Sequence, residues 1–478
     1  MADVSAPRVL LDPPLRDWRL SGSARPADRA ELAPLLDTPG PDRTPFDPTR
    51  PIIATGHQAW FWHPGILAKD IAMSVACERF DAQPVHLVVD HIDNSALSID
   101  VPVRLGDAID VKTLRLGSED LALGTGQRPP LKRGALADAV DAFERGLDGE
   151  PMVDLSALRE ADALAEHAAA DSLADSITAM QLAWMRPTCG EMFVLRTSQL
   201  ARLASFQSLV DRMLREARRC VSAYNAAVAR VPEAGVAPLL VERDRVELPL
   251  WVMASAGRGR VFADLADRVP LLTHEDGTPI GQTMTDEGGV FETLAPKALT
   301  LTAFMRSTLC DLFIHGKGGG VYEQVTEHWW RAWFGETLAP LAVVSADVYL
   351  DFALPTATPD QLERAVWYRH HLPYNIDREV DDADTLDKSR LAEKHGILAG
   401  SGGTYTKREK RAARRRLRAI NRAFAEQNAG LVADAQADVE RARRGVANAD
   451  IANRRDWCFA FYPPEQLAKL RESIVDSA

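Results

Sequence analysis

Cysteine is scarce in this sequence, and its few positions suggest no common structural role. The 478 residues contain five cysteines, an odd number, and no two of them form a C-x-x-C pair. A disulfide framework or a zinc ribbon needs cysteines paired at short spacing, so neither is expected. Scattered thiols of this kind are typical of a protein in the reducing cytoplasm.

Long apolar segments are missing as well. No run reaches the length of about 18 apolar residues that a helix needs to cross a bilayer. The N-terminal residues are rich in Pro, Arg and Asp, and they lack the apolar stretch of a signal peptide. We therefore expect a cytoplasmic protein without a membrane partner.

Several motifs that define enzyme classes are absent. The sequence has no G-x-G-x-x-G fingerprint, no Walker A motif, no H-E-x-x-H and no G-x-S-x-G. A P-loop, a zincin site and a serine-hydrolase elbow are therefore not expected. No paired metal-ligand spacing occurs either, so we expect no metal cofactor.

Basic residues are fewer than acidic ones, so the formal net charge is −12. Such a balance argues against general nucleic-acid binding. The composition, 46% hydrophobic and 26% charged, is that of a globular protein. Its length is sufficient for two or three domains.

The segment 51–80 predicts a strand, a polar turn and a helix. Residues 52–55 predict a short strand that begins with three apolar residues, and Pro64 suits the first turn of a helix. A near-continuous apolar run at 83–90 predicts a strand buried on both faces. Two such strands joined by a helix form a βαβ unit, so the fold class is α/β with a parallel sheet. A further strand at 310–315, followed by a turn and a helix, repeats the pattern.

The chain divides into three predicted parts. Residues 1–50 form an N-terminal arm, and 51–352 form the core. Within the core we expect a helical insertion at 135–230 and a β insertion at 238–290. Residues 353–478 form a C-terminal helical region.

The C-terminal region carries two patterns. Leu417, Ile420, Phe424 and Leu431 recur at coiled-coil spacing, which predicts a short coiled coil or bundle helix. Eight Lys or Arg residues lie within 407–418. Such a run is most often a solvated helix face or an intramolecular partner for acidic residues, with phosphate or nucleic-acid binding as the alternative.

Three strands are predicted to end in polar segments. The carboxyl ends of parallel strands meet at one edge of a sheet, so these segments should converge there. The segments are Gly56, His57 and Gln58; Asp90, His91, Asp93 and Asn94; and His315, Gly316, Lys317, Gly318, Gly319 and Gly320. His63 precedes the first helix and is a further candidate. Such a mixture suits a phosphate or carboxylate ligand and acid–base chemistry.

These motifs resemble the bacillithiol biosynthesis cysteine-adding enzyme family, and more closely its GHQ-type relatives of unassigned function. The family's first strand ends in T-G-Q-Q and is followed by a helix that carries a lysine. In this sequence Thr55–Gln58 is similar to that strand end, and Lys69 corresponds to the lysine of the helix. Its E-D-H-D segment resembles Val89–Asp93. Its G-G-P-G-E…Y segment is similar to Gly316–Glu323, which includes Tyr322 and Glu323.

The resemblance implies a Rossmann-like core, akin to nucleotidyltransferases and class I synthetases. It also implies a homodimer supported by the C-terminal helices. The implied activity is that of a ligase joining an amino acid, cysteine in the family, to a small amine, with ATP or ADP bound. His57 and His91 would then hold or protonate phosphate oxygens, and Asp90 and Asp93 would hold the amine or act as base.

Two other functions remain open from the sequence. A metal-dependent hydrolase could use the same side chains, namely His57, His63, Asp90, His91, Asp93 and His315. A non-catalytic binding or assembly protein could instead act through the basic helix.

Overall fold

A six-stranded, mostly parallel β-sheet lies at the centre of the protein. We describe it from a computed structural model. The described residues are 6–22, 24, 26–36, 45–92, 95–118, 122–164, 170–255, 257–267, 269–280, 293–380, 386–400 and 406–477.

Strands and helices alternate through much of the chain, as an α/β protein requires. The strands are β1 (Arg8–Asp12), β2 (Ile52–Gln58), β3 (Gln83–Val89), β4 (Ser98–Leu105), β5 (Ala108–Arg115), β6 (Glu150–Pro151), β7 (Phe193–Arg196), β8 (Arg245–Ala254), β9 (Gly257–Asp264), β10 (Leu271–Thr273), β11 (Leu294–Pro296), β12 (Leu312–His315) and β13 (Leu341–Asp347). The helices are α1 (Pro26–Ala30), α2 (Pro64–Phe80), α3 (Ala135–Arg145), α4 (Ser156–Leu164), α5 (Leu173–Cys189), α6 (Ala204–Arg215), α7 (Ala217–Arg230), α8 (Ala298–Phe304), α9 (Lys317–Phe334), α10 (Pro359–Glu379), α11 (Lys388–Gly400), α12 (Lys407–Gln427), α13 (Ala429–Ala452) and α14 (Pro464–Val475).

The central sheet has the order β1-β13-β12-β2-β3-β7. All neighbouring pairs are parallel except β1 with β13, so an antiparallel strand from the N-terminal arm closes one edge. The predicted α/β class with a parallel sheet is confirmed. The strand order reverses between β2 and β12, and ligands of open α/β sheets bind beside such a switch point.

Side chains of the central strands alternate between two cores, as the period of a strand requires. Ile53 packs in one core with α2, α5 and α14. Its neighbours Ile52 and Ala54 pack in the other core, with α6, α7 and α9. Both faces are therefore covered by helices, which explains why these strands read as continuous apolar runs.

Two smaller sheets lie outside the central one. Strands β4, β5 and β6 form a three-stranded sheet, and β8 to β11 form a four-stranded antiparallel sheet of order β10-β9-β8-β11. In the second, the β8–β9 hairpin contributes side chains to the candidate site described below.

The helices α10 to α13 form a separate small bundle. Its core includes Leu372 and Ile376 of α10, with Ile420 and Phe424 of α12. The last helix, α14, instead packs with α2 beside the central sheet. In the part of the chain that the structure describes, no helix combines the length and apolar character that a membrane span requires.

Candidate functional site

A cavity of about 910 Å³ lies at the carboxyl ends of β2, β3 and β12, beside the switch point. Many of the residues predicted from sequence to form a site line it. They are Gly56, His57, Gln58, His63, Lys69, His91, His315, Gly316, Lys317, Gly318, Gly319 and Tyr322. The three polar segments therefore meet around one space that is large enough for a nucleotide and a second small molecule.

Three other predicted residues, Asp90, Gly320 and Glu323, are not among those that line this cavity. Asp93 and Asn94 lie outside the described residues.

Lys69 of α2 reaches back to the end of β2. Its Nζ donates a 2.6 Å hydrogen bond to the carbonyl oxygen of Gly56. Burial lowers the pKa of Lys69 to about 8. A Cβ atom at Gly56 would lie 2.3 Å from the Leu87 carbonyl oxygen, so this close approach of β2 and β3 requires glycine.

His57 has an unsatisfied polar atom at the cavity wall. Its Nδ1 is buried and has no hydrogen-bond partner among the described residues. Burial, reinforced by the Lys69 charge, holds the pKa of His57 well below its usual value, so the ring is neutral at neutral pH. The ring contacts Trp60, with the ring centres 5.3 Å apart. Buried polar atoms are normally paired, so an unpaired nitrogen on a residue that lines the cavity makes His57 a candidate ligand-binding residue.

The N-termini of α2 and α9 both lie at the cavity, and they differ. In α2 the His63 side chain caps the helix, because its Nδ1 accepts a 3.1 Å hydrogen bond from the Gly65 N–H. Burial lowers the pKa of His63 to about 4, which keeps this nitrogen unprotonated. In α9 no side chain caps the N-terminus, and in the described part of the chain the N–H groups of Lys317 and Gly318 have no acceptor. Of these two helices, α9 is therefore the one whose N-terminal N–H groups are available to bind an anion.

The glycine-rich segment 316–320 was predicted to form a turn, but α9 already begins at Lys317. The reason is packing at the end of β12. The His315 ring lies over the first turn, where a Cβ atom at Gly319 would come within 1.7 Å of it. Glycine thus allows the helix to start under the ring.

His315 in turn orients Tyr322. Its Nδ1 accepts a 2.8 Å hydrogen bond from the Gly316 N–H, and burial lowers its pKa to about 3. In the neutral ring the proton therefore lies on Nε2, which donates to the Tyr322 hydroxyl oxygen at 2.6 Å. The hydroxyl hydrogen of Tyr322 remains available for a ligand.

Asp90 and His91 are held by the turn that follows β7. The Asp90 carboxylate accepts hydrogen bonds from the Thr197 hydroxyl at 2.7 Å and from the Ser198 N–H at 2.9 Å. The Nδ1 of His91 lies 2.6 Å from the same hydroxyl oxygen, and burial lowers the pKa of His91 to about 4. Asp90 therefore satisfies an N–H group in the first turn of the 3-10 helix Thr197–Arg202. His91 reaches the cavity wall as a neutral ring.

Glu323 lies behind the cavity wall. It forms a 2.6 Å ion pair with Arg306, and both side chains are about 1% exposed. Arg306 also donates to the Ala339 carbonyl oxygen and pairs with the half-exposed Glu327. This network fixes α9 against the segment before β12, so Glu323 supports the site without touching it.

A further group of cations lines the cavity beside the four-stranded sheet, and the sequence analysis did not predict it. Lys297 pairs with Glu247, and Arg260 lies 3.8 Å from the same carboxylate. Lys297 and Arg258 both lie over the ring of Trp251, at 4.4 and 4.8 Å from its centre. Burial lowers the pKa of Lys297.

Charge at the cavity is strongly one-sided. The described residues that line it include six cationic side chains and one carboxylate, that of Glu247. The cations are Lys69, Arg258, Arg260, Lys297, Lys317 and Arg455. In a chain of net charge −12, this local excess indicates a site for a ligand with several negative charges.

A metal site needs several donor side chains arranged around one point. Among the residues that the structure describes, no group of three or more His, Cys, Asp and Glu side chains is arranged to hold a metal ion.

No protein-family model matches the chain, and no curated protein matches it. The functional assignment therefore rests on the cavity itself.

Proposed function

We propose that the protein is a ligase that uses ATP to join the carboxyl group of an amino acid to a small amine. The observation that carries this proposal is the set of cations around the uncapped N-terminus of α9. Backbone N–H groups and lysines are the usual ligands of nucleotide phosphates.

The strand order supports a Rossmann-like core for this enzyme. Counted along the chain, the five parallel strands β2, β3, β7, β12 and β13 lie in the order 3-2-1-4-5. Doubly wound nucleotide-binding folds share this order and bind their ligand at the switch point, where the cavity lies.

Each wall of the cavity has a separate part in the proposal. Lys69, Lys317 and the α9 N–H groups hold the phosphates. The neutral His57 ring accepts a proton from the attacking amine. The cations beside Trp251 hold the carboxylate of a substrate, and Glu247 limits their excess charge. ATP, when bound, supplies the energy for carboxylate activation.

The resemblance adds a choice of amino acid and an oligomeric state. Cysteine is the first amino acid to test, and the chain is proposed to pair through its C-terminal helices as a coiled coil in a homodimer. The five thiols are unpaired and buried, which suits the reducing cytoplasm proposed as its location. Light scattering on purified protein measures the mass of the assembly.

Amino-acid-dependent cleavage of ATP tests the activity. Phosphate or pyrophosphate release is measured with ATP, each amino acid and a panel of small amines. We expect release that requires the amino acid and falls at least tenfold in His57→Ala. Hydrolysis that needs no ATP and is lost with a chelator would instead identify a metal-dependent hydrolase. Absence of turnover with every pair, despite ATP binding, would favour a binding protein.

A further inference from the structure

One cation of the cavity comes from the C-terminal region. Of the six cationic side chains that line the cavity in the described part of the chain, five belong to the core, and the sixth is Arg455. The sequence analysis predicted no site residue in this region. The proposed function assigns its phosphate and carboxylate contacts to the other five cations, so Arg455 has no part in it.

The segment around Arg455 is anchored to the core. After α13 the chain returns to the loop that follows β2, where the N–H group of Phe459 donates a 2.7 Å hydrogen bond to the carbonyl oxygen of Trp62. The Tyr462 hydroxyl donates a 3.1 Å hydrogen bond to the carbonyl oxygen of Val348. These bonds fix the backbone near Arg455, whereas its side chain is 45% exposed and has room to change direction.

The Arg455 guanidinium contacts a carboxylate at the end of β13. It forms an ion pair with Asp347, whose side chain is 38% exposed. An ion pair that is exposed to this extent stabilises a protein little, because water solvates the separated charges well. Arg455 can therefore leave Asp347 for another anion at a small cost in free energy.

This ion pair lies on the same side of the sheet as the N-terminus of α9. Ser345 of β13 lines the cavity, and Asp347, two residues further, shares its face of the strand. In the neighbouring strand His315 pairs with Val343, and α9 begins two residues after His315. The α9 N-terminus and the Arg455–Asp347 pair therefore flank the ends of two adjacent strands at one cavity.

A guanidinium group at this position suits a phosphate. Its planar fork can donate two hydrogen bonds to one phosphate group, and such charged bonds are stronger than an exposed ion pair. A nucleotide whose phosphates bind the uncapped N-terminus of α9 brings acceptor oxygens into the cavity that Arg455 lines. The Asp347 carboxylate competes with these oxygens for the same donors.

We propose that Arg455 exchanges Asp347 for a phosphate group when ATP binds. Arg455 is then a binding residue supplied by the C-terminal region, and Asp347 is a competitor that weakens the affinity for ATP. This inference rests on the nucleotide site of the proposed function. It adds a phosphate ligand to that site, and it predicts that removal of the Asp347 carboxylate strengthens binding.

Titration calorimetry of the full-length protein with ATP and with inorganic tripolyphosphate, at about 150 mM salt, tests the exchange. Arg455→Gln should lower the affinity for both anions about tenfold, because charged hydrogen bonds to a phosphate are lost. Asp347→Asn should raise both affinities about two- to fivefold, since no ion pair has to be broken. In the Arg455→Gln background, Asp347→Asn should change them less than about 1.5-fold, because the competition is absent.

A matched ion pair elsewhere provides the control. Arg186 and Glu191 are 48% and 52% exposed and pair at 2.6 Å, and neither is among the described residues that line the cavity. Arg186→Gln and Glu191→Gln should bind both anions as the wild type does. Thermal unfolding checks that each variant folds. If Arg455→Gln does not fold, Asp347→Asn still tests the exchange, because unchanged or weaker binding in that variant would overturn it.

The outcomes separate this inference from the proposed function. Wild-type affinity in Arg455→Gln would show that Arg455 does not hold a phosphate, and it would leave the nucleotide site intact. Equal gains from Asp347→Asn with and without Arg455 would show that Asp347 acts by charge repulsion alone, which would overturn the exchange. If the wild-type protein binds neither ATP nor tripolyphosphate, the nucleotide site itself is wrong, and the role of Arg455 is wrong with it.

Discussion

The ammonium group of Lys69 donates a 2.6 Å hydrogen bond to the carbonyl oxygen of Gly56. This contact joins the first helix of the core to the end of its first strand. An ammonium group has three donors, so two remain for a ligand in the cavity. The lysine is buried, and its pKa is lowered to about 8.

This pKa predicts the pH dependence of ATP binding. An anion binds the protonated form of Lys69, so affinity should be constant below about pH 8 and fall up to tenfold per unit above it. Isothermal titration between about pH 7 and about pH 10 measures the effect. Lys69→Met should bind more weakly and show no such decline. Wild-type affinity that stays constant across this range would contradict the role of Lys69.

The first turn of α9 offers a matched pair of glycines. A methyl group at Gly319 would meet the His315 ring, whereas a methyl group at Gly318 has no atom within 4 Å. Gly319→Ala should lower the free energy of unfolding by about 1–3 kcal/mol, because it displaces the ring from Tyr322. Gly318→Ala should be neutral or stabilise by up to about 1 kcal/mol. Denaturant titration compares them, and equal effects would contradict this packing.

The buried histidines predict a loss of stability in acid. The pKa of His63 in the folded protein is about 4, below the usual value of about 6.5. Between these values only the unfolded chain binds the proton, so stability falls as pH decreases from about 6.5 to about 4. His63→Asn keeps a good helix cap. It should reduce this pH dependence by about 1.4 kcal/mol per pH unit. Parallel pH curves for the two proteins would contradict the burial of His63.

Glu323 and Glu327 both pair with Arg306, and their exposure separates their effects. Glu323 is about 1% exposed, whereas Glu327 is 46% exposed. Glu323→Gln should cost about 3 kcal/mol of stability, because it leaves a buried charge poorly compensated. Glu327→Gln should cost no more than about 1 kcal/mol. Neither change should alter ATP affinity more than twofold in the folded protein. A large loss of affinity in Glu323→Gln would show that this carboxylate contacts the ligand.

The β2–α2–β3 unit could be predicted because its signals are local. Apolar runs, the proline at position 64 and the polar strand ends all lie within 51–94. Gly56 and His57 follow from these local signals, whereas Lys69 follows from the family resemblance, and the structure brings all three to one cavity.

The rest of the site depends on contacts between distant segments. Asp90 is held by Thr197 and Ser198, more than 100 residues away. Arg258 and Arg260 reach the cavity through the β8–β9 hairpin, whose docking no local pattern reveals. Lys297 pairs at the cavity with Glu247, which is 50 residues away in the chain. Periodicity indicates which elements form, and it does not indicate which of their ends meet.

Titration of the purified protein with ATP tests the central claim most directly. We expect saturable binding at one site per chain, with affinity reduced about 10- to 100-fold in Lys69→Met and in Lys317→Ala, since each loses a charged hydrogen bond. The control Lys469→Met changes an exposed lysine of α14 and should bind as the wild type does. Absence of ATP binding to the wild-type protein, or equal affinity in all four proteins, would contradict a nucleotide site at the α9 N-terminus.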